Sequence, residues 1–113
     1  MMIKRLTLSI ILFFISSAHA QDMTPQFNQG DAYENVKKSL ITNGWKPIQN
    51  TKISRSSLYA QELYEQGMTE VVDCISMELD GCWFYFTKEN HALEIKTITR
   101  QLSFEKLSIR KFR

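Results

Sequence analysis

Cysteine, histidine and glycine are all scarce in this chain: two, two and four residues among 113. Four scattered glycines leave no glycine-rich phosphate loop, and no tract is low in complexity. Zinc normally takes four N or S ligands, so two cysteines with so few histidines make a poor metal site. No H-E-x-x-H is present, and neither a metal nor a cofactor is expected. Long apolar runs are equally rare. The one clear run, residues 6–15, is too short to cross a bilayer, which needs about 20 residues. A surplus of one charge is missing as well. The formal net charge of +2 comes from Lys4 and Arg5, and the remaining basic and acidic residues balance. Without a basic excess the chain is a poor candidate for binding nucleic acid.

Lys4 and Arg5, the apolar run and then Ala18-His19-Ala20 have the order of a secretory signal peptide: charged region, apolar region, A-x-A cleavage site. The expected organisation is a signal peptide over 1–20, a flexible lead over 21–30 and one domain over 31–113. No cysteine lies near the cleavage site to carry a lipid anchor, so the expected location is the periplasm or the exterior. In that oxidising compartment Cys74 and Cys82 are expected to form a disulfide. His91 is then the one remaining histidine, placed in a turn beside Asn90.

Helical spacing is clearest just after the lead. Tyr33, Val36, Leu40 and Ile41 share one stripe, Asp31 with Glu34 reads as a capping box, and Asn43-Gly44 reads as a stop before Pro47. Trp45 is placed to fold back over the helix end. A loop over 48–56 and a short helix over 57–66 follow. From residue 68 the pattern is that of strands: 68–77, 82–88, 92–99 and an ambiguous fourth over 101–112. This predicts an α+β fold, one or two N-terminal helices packed on one face of a three- to four-stranded antiparallel sheet.

The turn signals conflict. Asp80-Gly81 alone favours a two-residue hairpin that keeps the cysteines apart. A disulfide instead makes Cys74 and Cys82 cross-strand neighbours, with Val72 facing Phe84 and Asp73 facing Trp83. The oxidising compartment decides for the second register, with Val72, Cys74, Phe84 and Phe86 inward.

Tyr33, Val36 and Leu40 in Y-x-x-V-x-x-x-L, Gly44-Trp45-Lys46-Pro47, Glu70 and Val71 before Cys74, then Cys82 and Thr97, resemble a group of small exported bacterial proteins. The layout is also similar to the helix-then-sheet modules of β-lactamase-inhibitory proteins and of an outer-membrane assembly lipoprotein. The resemblance implies a secreted, disulfide-bonded α+β domain and no particular reaction.

Chemistry-bearing sets are thin. His91 has no evident third group to orient it, as nucleophilic catalysis requires. Glu70, Asp73, Glu78 and Asp80 read as a solvated acidic edge rather than a carboxylate pair for glycoside hydrolysis. The aromatic strand Trp83-Phe84-Tyr85-Phe86 says more. With Phe84 and Phe86 inward, Trp83 and Tyr85 share the other face, and such side chains are enriched at binding hot spots. Charge is uneven: residues 61–94 hold eight acids against Lys88, and residues 95–113 hold six basic residues against Glu105. The basic end, with Arg110, Lys111 and Arg113, either offsets the acidic strands or meets a protein partner or envelope component. The expected function is a non-enzymatic periplasmic or secreted binding module, in its specific form an inhibitor or immunity-type protein. The alternative is an envelope-associated structural accessory protein, and a small hydrolase is disfavoured.

Overall fold

A computed structural model describes residues 25–77 and 79–111. The expected signal peptide, most of the lead, Glu78 and Arg113 lie outside them. The order is α1 (Tyr33–Thr42), β1 (Lys46–Pro47), a 3-10 turn (Ile53–Arg55), α2 (Leu58–Glu65), β2 (Val71–Ile75), β3 (Gly81–Lys88), β4 (His91–Ile98) and β5 (Ser103–Lys111). Among the described residues the fold is α+β, with two helices and five antiparallel strands. This corrects the expected three or four strands behind N-terminal helices, because β1 lies between the helices.

β3 is the centre of the sheet. β4 runs along one side of it and β5 follows β4. β1 and β2 share the other side, β1 opposite Phe86 and Thr87 and β2 opposite residues 81–84. Between them the Tyr85 amide donates to the Glu70 carbonyl, and the Tyr85 carbonyl accepts from the Ile48 amide. Two short segments thus complete one edge. β1 has only two residues and one of them is proline, so sequence periodicity had nothing to register there.

Both helices end on glycines with left-handed backbone, Gly44 at φ 94° and Gly67 at φ 106°. After the first, Trp45 donates its amide to the Leu40 carbonyl and its side chain is buried, as its place after the helix predicts. The N-terminus of α1 differs from expectation. Ala32, not Asp31, is the cap residue, and no side chain caps the helix. The Tyr33 amide donates to the Leu102 carbonyl, so the β4–β5 connection satisfies a donor that a cap would otherwise take. The Asp31 carboxylate accepts from the Asn28 amide instead. In α2 the Ser57 hydroxyl accepts from the Ala60 amide.

Tyr33, Val36 and Leu40 join Tyr59, Ala60, Leu63, Phe84, Phe86, Leu93 and Ile95 in one buried cluster. Ile41, expected on the buried stripe, is 48% exposed. The Cys74–Cys82 disulfide is present, with Asp73 opposite Trp83 as the bridged register predicts. Val71, however, replaces Val72 opposite Phe84, because β2 bulges at Val72. Side chains hold the bulge: the Val72 carbonyl accepts from Asn50 Nδ2 at 3.1 Å and from Ser56 Oγ at 2.8 Å. Loss of the disulfide through Cys74→Ala with Cys82→Ala is expected to cost about 2.5 kcal/mol, measured by urea unfolding. An unchanged midpoint would refute the loop-closure account.

Candidate functional site

Strand alternation divides the sheet side chains into two sets. Cys82, Phe84, Phe86, Leu93, Ile95 and Thr97 are buried. The alternate positions form cross-strand rows: Thr87, Ala92 and Arg110; Tyr85, Glu94 and Ser108; Trp83, Lys96 and Lys106. Trp83 and Tyr85 are half-buried, so neither ring is enclosed by the fold. The basic end divides in the same way. Exposed Arg110 joins the Tyr85 face, whereas exposed Lys111 stands opposite His91 in the other alternation set.

Around Tyr85 the face is concave. Tyr85, Ile48, Ala92, Glu94, Ser108 and Arg110 line a groove of about 160 Å³, in which Ala92 is the smallest side chain. Tyr85 stands directly opposite Glu94 across β3 and β4. Burial and then the Glu94 charge hold the Tyr85 hydroxyl above its ordinary pKa, with Arg110 opposing. At neutral pH it is therefore a donor.

Around Trp83 the face mixes charged and apolar side chains. Lys96 Nζ sits 5.4 Å from the centre of the Trp83 ring and 3.0 Å from Glu105. Trp83 and Ile98 share a second groove, of about 220 Å³, with Ile75, Met77 and Leu79. Those three, at the end of β2 and in the loop that follows it, are 49%, 69% and 55% exposed. The loop is fastened at both ends. The disulfide closes it, the Leu79 carbonyl accepts from the Thr99 amide, and Asp80 lies 3.7 Å from Arg100, which stacks on Tyr59. Sequence reasoning found Trp83 and missed these loop residues, because an apolar loop and a strand end look alike in one dimension.

The acidic edge is only partly solvated. Asp73 is exposed, but Glu70 is 1% exposed and belongs to the interior. The Tyr33 hydroxyl donates to Glu70 Oε2, and Lys37 Nζ lies 3.1 Å from Oε1 and 3.0 Å from Oε2. Burial, then the Glu70 charge and hydrogen bond, push the Tyr33 hydroxyl far above its ordinary pKa. Tyr33 and Lys37 are i and i+4 on α1, a spacing that puts both on one side of the helix and was the available signal for a shared partner. His91 begins β4 rather than sitting in the turn, and its half-buried ring has no partner for Nδ1 among the described residues. No three His, Cys, Asp or Glu side chains there are grouped to hold a metal.

No protein-family model, curated protein sequence or solved structure matches this chain.

Proposed function

We propose that this protein is a non-enzymatic binding module, periplasmic or secreted, whose partner contacts the sheet face bearing Trp83 and Tyr85. In this reading the helices cover the opposite face, as in the inhibitory modules its layout resembles, and an inhibitor or immunity role is the specific form. One observation carries the proposal: Trp83 lies half-open beside Ile75, Met77 and Leu79 on a disulfide-closed loop. A disulfide-restrained surface of this kind contributes contact area with less conformational entropy lost on binding. The disulfide, and the absence among the described residues of a helix able to cross a membrane, are compatible with export.

The test compares the oxidised protein with its Trp83→Ala variant, using a partner recovered by crosslinking in periplasmic extract. The variant is expected to bind about 2 kcal/mol more weakly, by calorimetry, with its melting temperature unchanged. A lowered melting temperature with affinity intact makes Trp83 structural and sinks the proposal. Cosedimentation with envelope fragments in place of a stoichiometric protein partner favours the accessory role.

A further inference from the structure

β5 has an open edge. It pairs with β4 on one side, and only its first residues are covered on the other. There the Gly30 amide donates to the Phe104 carbonyl at 2.9 Å, the Phe104 amide donates to the Asp31 carbonyl at 2.7 Å, and Ala32 bridges Ser103. From Lys106 to Lys111 no backbone segment pairs with that edge among the described residues. An unpaired edge presents amides and carbonyls ready for another strand.

The same stretch carries cations that the fold does not neutralise. The ion pairs among the described residues are Lys37–Glu70, Lys96–Glu105 and Arg100–Asp80, which leaves Lys106, Arg110 and Lys111 without one. Glu94, the acid in the neighbouring row, lines the Tyr85 groove with Arg110 but makes no ion pair with it. The acidic middle of the chain thus reaches the basic end through Asp80 and Arg100 but not through these three cations. Lys106 and Arg110 share the Tyr85 face with Ser108 between them, and four residues of strand place the two cations roughly 13 Å apart. Ser108 is short and lines the Tyr85 groove, so the edge opens into that groove midway between the cations.

We propose that this edge accepts an extended acidic segment of a partner protein as a sixth strand. Its carboxylates, at i and i+4, stand opposite Lys106 and Arg110. A large apolar side chain at i+2 crosses Ser108 into the groove of Tyr85, Ile48 and Ala92. Backbone pairing supplies affinity in this mode, and alternate side chains supply specificity. Cross-strand neighbours lie about 5 Å apart, within reach of both the ion pairs and the crossing side chain. The proposal rests on the binding-module reading and names its partner's chemistry. Charged edges also serve to prevent pairing, and the experiment separates that role.

A random twelve-residue peptide library is displayed against the purified, oxidised protein, and selected peptides are measured by fluorescence anisotropy. The expected selection is enriched in acid-x-apolar-x-acid. The paired change Lys106→Thr and Arg110→Thr should weaken binding at least tenfold with the melting temperature retained. Ala92→Leu, which fills the groove, should weaken it several-fold. Selection of no peptide, of peptides without paired acids, or of peptides indifferent to the double variant overturns the proposal. Self-association of the double variant without peptide binding by the wild type assigns the cations to edge protection. Peptides that lose affinity on Trp83→Ala but not in the double variant keep the binding face and remove the edge. The reverse pattern keeps the edge and removes Trp83. Binding to phosphatidylglycerol vesicles with no peptide selected gives the surface to a membrane and overturns the proposal as well.

Discussion

Phe84→Ala should destabilise the protein by about 3–5 kcal/mol, the largest effect expected of a single substitution. Phe84 is fully buried at the centre of β3, with Val71 opposite on β2 and Ile95 opposite on β4. The Tyr33 ring of α1 stacks on it, with centroids 3.9 Å apart and planes 21° from parallel. Truncation removes the ring from all three neighbours and leaves a cavity that a sheet fastened on both sides of β3 cannot close. Domains of this size are stable by about 5–15 kcal/mol, so the variant should approach marginal stability. Urea unfolding with an unchanged slope measures the loss. A loss below about 1 kcal/mol would show that the helix and sheet do not depend on this contact.

Glu70→Ala is the second large effect, expected at about 3 kcal/mol. The carboxylate is buried and accepts from both Tyr33 and Lys37. Without it the Tyr33 hydroxyl, in a residue 3% exposed, has lost its acceptor and still lacks water. Lys37 keeps 25% side-chain exposure and can turn outward, which holds the cost below that of two stranded groups. Glu70→Gln retains an acceptor for Tyr33 and should cost about half as much. Glu70→Leu combined with Tyr33→Phe removes both buried polar groups and should recover most of the stability. A double variant as unstable as Glu70→Ala would show that packing, not the stranded hydroxyl, sets the cost. Thermal and urea unfolding of the four proteins decide this.

The sequence by itself determined what depends on neighbours along the chain. The buried positions Tyr33, Val36 and Leu40, the stop at Gly44, the second helix and strands β2 to β4 follow from periodicity and turn chemistry, whereas the segment that forms β5 fits neither period cleanly. The cysteine pair also carried its register, because a disulfide needs cross-strand neighbours. Tertiary structure decided the rest. The cap of α1 was taken over by the Leu102 carbonyl, and the β2 bulge was set by Asn50 and Ser56, both far from β2 in the chain. Glu70 entered the interior only because Tyr33 and Lys37 approach it from α1. The candidate face divides similarly. Alternation alone put Trp83 and Tyr85 together, whereas Ile75, Met77 and Leu79 joined Trp83 through the path of a closed loop. Arg110 came to Tyr85, and Lys111 did not, through the pairing of β4 with β5. A local pattern records which way each side chain turns along its own segment. Which segments meet depends on the free energy of the whole packed chain, and no single stretch of sequence holds that.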